Sequence, residues 1–163
     1  MSGLVNTYGS KTGLCGREYA WRIGMASSGN VADNGTIFMN RTNGNGAFLR
    51  NVSWASDKIK IPVTGWYDLS FQVESTANAV NIIIYYYDFT NDKGLVAHRK
   101  DEYKAESDLI GVSTQQYLAA GIEVGLRSSS GGTRFFVSGS DSDGTWMMGR
   151  YLQLGPWKTF PYS

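Results

Sequence analysis

The run Val80-Asn81-Ile82-Ile83-Ile84-Tyr85-Tyr86-Tyr87-Asp88-Phe89 is apolar on both sides when read as a β-strand. Successive side chains on a strand point to opposite faces. Val80, Ile82, Ile84 and Tyr86 therefore share one face, and Ile83, Tyr85, Tyr87 and Phe89 share the other. The remaining segments read as antiparallel β structure with one face in water. Among such segments a doubly apolar strand needs a second cover, which must be another sheet, a helix layer or another subunit. No segment supplies a convincing helix layer, so the expectation is a subunit contact through Ile83, Tyr85, Tyr87 and Phe89.

The other strand signals are short and closely spaced. Residues 19–26 form the first, and residues 36–40 and 47–55 flank Asn43-Gly44-Asn45-Gly46, a strong hairpin signal. In residues 58–63 the alternation points Ile59, Ile61 and Val63 inward, with Pro62 on the outward register as at an edge or bulge. Residues 65–74 alternate cleanly, with Tyr67, Leu69, Phe71 and Val73 inward and Asp68, Ser70, Gln72 and Glu74 outward. Residues 92–108 carry a mixed-sign charge run without a sustained apolar stripe, and read as a solvated loop or a single turn. Strands resume at 111–118, 122–127, 133–138 and 146–154, separated by Ser/Gly and Ser/Asp/Gly turns. Nine or ten short strands in this spacing predict an all-β, two-sheet antiparallel jelly-roll sandwich.

At 163 residues the chain reads as one domain. A chain of this length buries roughly 70% of its unfolded surface, enough for a self-sufficient core. Residues 1–16, punctuated by glycines, read as an extended arm, either a frayed terminus or a peg whose Leu4, Val5, Tyr8 and Leu14 would dock on a neighbouring protein. Residues 17–163 form the domain, closed by an aromatic, proline-bounded tail at 156–163. The formal net charge of +1 offers no basic field for a phosphate backbone, which argues against nucleic-acid binding. No segment approaches 18 consecutive apolar residues, so no helical membrane span is expected. The opening lacks a signal-peptide pattern, which predicts folding in a cytoplasm.

Little in the sequence points to catalysis. The single histidine, His98, lies in the charged run without a Gly-x-Ser-x-Gly elbow to complete a triad. The single cysteine, Cys15, excludes an internal disulfide framework and a multi-cysteine metal site, and has no candidate base in its own segment. Gly9-Ser10-Lys11-Thr12 fails the residue order of a phosphate loop. Asp141-Ser142-Asp143-Gly144 resembles the opening of a calcium loop, but Leu152 stands where the closing glutamate belongs, so a plain turn is the reading. Asp33 and Asp92 sit in similar turns. No cofactor, metal or catalytic set is expected. Trp66 takes the outward register of its strand and is the candidate ligand-facing aromatic, available to a neighbouring subunit or to a sugar.

Lys60-Ile61-Pro62-Val63-Thr64-Gly65-Trp66-Tyr67-Asp68-Leu69-Ser70-Phe71 resembles the core motif of the tumour-necrosis-factor-like and complement-head jelly rolls. In that motif a strand ends in Pro-x-x-Gly and the next opens with Gly-x-Tyr-x-hydrophobic. Residues 118–126 resemble the same family's later strand, although Glu123 stands two places after Gly121 instead of directly after it. The closing strand at 146–154 lacks the family's small-residue and aromatic ending. The resemblance spans about residues 46–154 and implies a homotrimer with aromatic strands about a threefold axis. Similar stand-alone domains occur in tailed bacteriophages as capsid decoration proteins, head fibres and receptor-binding tips. Residues 8–14 are also similar to the opening of small virion proteins of aquatic phages. The reading implied is a non-enzymatic, virion-borne capsid decoration protein whose partners are itself and the capsid protein. The alternative is a fibre or tail tip that recognises a host surface glycan.

Overall fold

The structure, a computed structural model, describes residues 18–42, 44, 46–75, 82–100, 108–138 and 144–153. These residues form twelve strands: β1 (Ala20–Gly24), β2 (Gly29–Val31), β3 (Phe48–Arg50), β4 (Ser53–Ala55), β5 (Lys58–Lys60), β6 (Gly65–Ser75), β7 (Ile82–Asp88), β8 (Lys93–Lys100), β9 (Asp108–Leu118), β10 (Glu123–Ser129), β11 (Arg134–Phe136) and β12 (Trp146–Gln153). The strands build two antiparallel sheets. One holds seven strands in the order β2-β11-β6-β12-β1-β3, with β9 on the other side of β6; the second runs β4-β5-β10-β7-β8. The all-β jelly-roll sandwich expected from the strand spacing is the observed architecture.

Alternation drives the packing. On β6 the residues Tyr67, Leu69, Phe71 and Val73 are buried, while Trp66, Asp68, Ser70, Gln72 and Glu74 are only half-buried. Across the sandwich Ile82, Ile84 and Tyr86 of β7 meet them, together with Ile59, Val124 and Leu126. Trp21 of β1 is wholly buried, and its indole Nε1 donates to the Tyr86 hydroxyl at 3.0 Å. That bond joins the two sheets through the centre of the core and satisfies both polar atoms. Gly149 lies opposite Trp21 in the β1–β12 ladder, and a Cβ there would sit 2.1 Å from the indole. The glycine is therefore what admits the ring.

Three expectations change. First, residues 93–100 are a strand and not a loop, because β8 pairs with β7 from Ile82↔Lys100 to Asp88↔Lys93. Lys93 and Arg99 are exposed on a sheet edge, where charged residues hide a strand pattern. The β7–β8 turn is closed by the buried Asp88 carboxylate, which accepts from the backbone N–H groups of Thr90 and Asn91, each at 3.0 Å. Second, the Asn43–Gly46 turn does not link two ladder strands. Gly44 and Gly46 take φ of 69° and 72°, but residues 36–40 contribute an isolated bridge from Thr36 to Arg127. Third, residues 47–55 are broken at Asn51 (φ 52°), which sends β3 into one sheet and β4 into the other. β4 then returns as β5 through Ser56-Asp57, both at positive φ, a two-residue hairpin of the type I′ kind.

Candidate binding surfaces

Two outward faces carry aromatic clusters. On the five-stranded sheet, the outer side of β7 presents Ile83, Tyr85 and Tyr87, and Phe89 follows directly. The sequence grouped these four on one face, and the structure brings them together. Neighbouring rings meet edge to face, with centroids 6.3 Å apart for Tyr85–Tyr87 and 5.1 Å for Tyr87–Phe89. This row already has partners in its own chain. The Arg127 guanidinium sits 4.5 Å from the Tyr87 ring centre and the Lys58 ammonium 4.7 Å from that of Phe89. Tyr87 is 9% exposed, and its hydroxyl donates to the Asp92 carboxylate at 2.7 Å. Arg127 donates to the same carboxylate oxygen at 3.3 Å and, through Nε, to the Asn34 carbonyl at 2.9 Å.

The electrostatics follow from those contacts. The Tyr87 hydroxyl, and after it Arg127, holds the Asp92 carboxyl below its ordinary range. The same hydrogen bond to Asp92, aided by burial, pushes the Tyr87 phenol up. Arg127 and Asp92 escaped the sequence reading as site residues. Arg127 does fall on an outward register, but nothing local says that β10 lies beside β7.

The second face belongs to the seven-stranded sheet. The register aligns Trp66 with Tyr117 across β6–β9, and their rings meet at 5.7 Å in a T-shape. Along β12 the outward residues are Trp146, Met148, Arg150 and Leu152. Tyr117 is 46% exposed, Met148 38% and Leu152 36%, so large apolar groups stand in water along β9 and β12. The indole N–H groups of Trp66 and Trp146 are buried, and neither has an acceptor among the described residues. Trp66 is thus outward, as its register predicted, and half-covered by Tyr117.

The other sequence candidates divide simply. His98 lies on β8 opposite Ile84, half-buried, with no hydrogen bond to a serine or an acidic residue among the described residues. Asp33 ties two loops together, accepting from the N–H groups of Ser130 and Gly131 at 2.7 and 3.1 Å. These bonds, led by that from Ser130, hold its carboxyl below the usual range. Leu4, Val5, Tyr8 and Leu14 of the arm, Cys15, and Asp141 and Asp143 lie outside the described residues. Among the described residues no three His, Cys, Asp or Glu side chains gather as a metal-binding group.

No family model matches the sequence, and no curated protein does. Solved structures do match. The chain is similar to the Eiger tumour necrosis factor of S. frugiperda, with a TM-score of 0.67 and 12% identity over 88% of this chain and 98% of that one. It is similar to the globular domain of the zebrafish complement 1qA protein, with a TM-score of 0.62 and 11% identity over 83% and 98% of the two chains. The fold is that of the tumour-necrosis-factor and complement heads. Murine APRIL matches in the same way, with a TM-score of 0.61 and 11% identity over 83% of this chain and all of its own. Two sheets, inward Tyr67 on β6 and the Pro62–Gly65 corner before it are the parts of this tumour-necrosis-factor-like fold that the sequence motif announced.

Proposed function

We propose that this protein is a non-enzymatic homotrimer that decorates a bacteriophage capsid, binding the assembled shell in preference to free subunits. The observation carrying the self-association is the outer face of the seven-stranded sheet. Exposed Tyr117, Met148 and Leu152 share that face with the half-buried Trp66 and Trp146. Tyr117 lies against Trp66, and Met148 follows Trp146 on the outward register, with Asp68, Ser70 and Arg150 between the two groups; exposed apolar groups with a polar surround of this kind mark an interaction site. A second copy of the same chain offers matching apolar area, and a net charge of +1 does not oppose the encounter. The Tyr85 row is the other candidate contact, but its rings already carry Arg127 and Lys58, so the seven-stranded sheet is the better-fitting face.

The capsid reading is supported by the resemblance to phage decoration domains and by the apolar residues of the arm. A trimer that recognises only assembled shells stabilises them by mass action. The test begins with sedimentation equilibrium of the native protein, which should return three times the 17.9 kDa chain mass. Met148→Asp should give monomers, because it places a charge in a dry contact, whereas Tyr85→Asp should leave the trimer intact. The reverse result assigns the axis to the Tyr85 row. A wild-type protein that stays monomeric at tens of micromolar, as on the order of 8 kcal/mol of association would forbid, refutes self-association. Co-sedimentation with assembled capsids, lost when residues 1–16 are deleted, supports decoration. An intact trimer that ignores capsids overturns decoration alone.

A further inference from the structure

The outer face of the five-stranded sheet holds an open cleft of about 370 Å³ lined by Asn34, Tyr85, Tyr87, Asp92, Arg127 and Ser129, with Gly94 beside Tyr85. Its floor depends on that glycine. A Cβ at residue 94 would lie 2.9 Å from Tyr85 Cδ1, so the bare backbone lets the half-buried ring lie over β8 and line the cleft. The strand register creates this arrangement: a bulge after Tyr86 advances the pairing from Val96 to Gly94. At the rim, Asp92 Oδ1 takes both the Tyr87 hydroxyl and Arg127 Nη1. Its Oδ2 and Arg127 Nη2 have no partner among the described residues, and the Asp92 side chain is 88% exposed.

A free carboxylate acceptor and a free guanidinium donor therefore stand side by side in a cleft that the Tyr85 ring also lines. Each hydroxyl of a vicinal diol both donates and accepts, so one can give to Asp92 while its neighbour receives from Arg127. The apolar C–H face of the same ring fits the Tyr85 π-surface. The charges select against an anion, because Asp92 at 3.3 Å already balances Arg127. The volume lies at the small end of ligand pockets, matching roughly one or two sugar rings. We propose that this cleft binds a neutral pyranose of a glycan, its vicinal diol held by Asp92 and Arg127 and its C–H face on Tyr85.

The site does not require the oligomer and survives if capsid decoration fails. Saturation-transfer NMR with the methyl glycosides of glucose, galactose and mannose tests it on the full chain. The expected result is saturation of ring C–H protons for at least one glycoside, with a dissociation constant on the order of 1–10 mM. Asp92→Asn keeps a residue that tolerates the φ of 50° at this position and should weaken binding tenfold or more. Tyr85→Leu should do the same by removing the stacking face. The proposal is overturned if no glycoside receives saturation, if inorganic phosphate competes the glycoside away, or if both variants bind as the wild type does.

Discussion

Gly149→Ala measures how tightly the sandwich is closed. The added methyl would lie 2.1 to 2.5 Å from three atoms of the Trp21 indole. Carbon atoms pack at about 3.5 Å, so the ring would have to retreat by roughly 1.4 Å. It has nowhere to go: Trp21 is wholly buried, the Tyr67 ring centre is 6.0 Å away, and β1 is held on both sides by β12 and β3. A retreat of that size also breaks the 3.0 Å bond to the Tyr86 hydroxyl. Overpacking costs about 1–3 kcal/mol and a lost buried hydrogen bond about 1 kcal/mol more. The expected destabilisation is thus about 2–4 kcal/mol, a large part of the roughly 5–15 kcal/mol that keeps a domain folded. Equilibrium urea unfolding at fixed protein concentration should show a lower midpoint with an unchanged slope. Trp21→Phe removes the ring edge that the methyl strikes, so Gly149→Ala should cost at least about 1.5 kcal/mol less in that background. If the glycine substitution costs the same in both backgrounds, or below about 0.5 kcal/mol in the wild type, the indole does not pack over Gly149 and the argument fails.

Tyr86→Phe strands the Trp21 N–H in the core and should cost about 1–3 kcal/mol by the same urea assay. Burial pushes the Tyr86 phenol well above its ordinary value of 10.0, so its contribution is fully present below pH 10 and is lost as pH rises from there. Melting curves should therefore show an alkaline loss of stability that the phenylalanine variant has in smaller measure. Asp33, held below 3.8 by the N–H groups of Ser130 and Gly131, contributes above pH 3.8 and loses that contribution as pH falls through its depressed value. Asp33→Ala should melt earlier at pH 7, with the gap narrowing in acid; a gap that widens in acid contradicts the sign. If copies meet through Tyr117, Met148 and Leu152, the trimer should hold its mass between about 0.05 and 1 M NaCl, where an ion-paired interface would loosen.

Faces were easier to read than neighbours. The inward set Tyr67, Leu69, Phe71 and Val73 and the inward Ile59 and Ile61 follow from a two-residue period, and all six are buried. Residues 93–100 were misread because edge strands tolerate charge, so their period is masked although β7 pairs with them throughout. Asn51 escaped notice because one residue at positive φ breaks a strand without changing the apolar pattern. At the cleft, the aromatic pair Tyr85 and Tyr87 was legible, but Arg127 and Asp92 were not. Their meeting needs a β7–β10 ladder whose partners are 36 to 46 residues apart, from Val124↔Asp88 to Ser129↔Ile83.

Alternation and turn chemistry are local and energetically strong, so the residues alone determined an all-β sandwich and the inward face of its clearest strand, β6. Strand order is settled by competition among distant pairings, each with its own loop-closure cost and fit. Only the folded sandwich therefore decided that Trp21 reaches Tyr86, that Arg127 covers Tyr87, and that Tyr117, Met148 and Leu152 stand uncovered on one sheet.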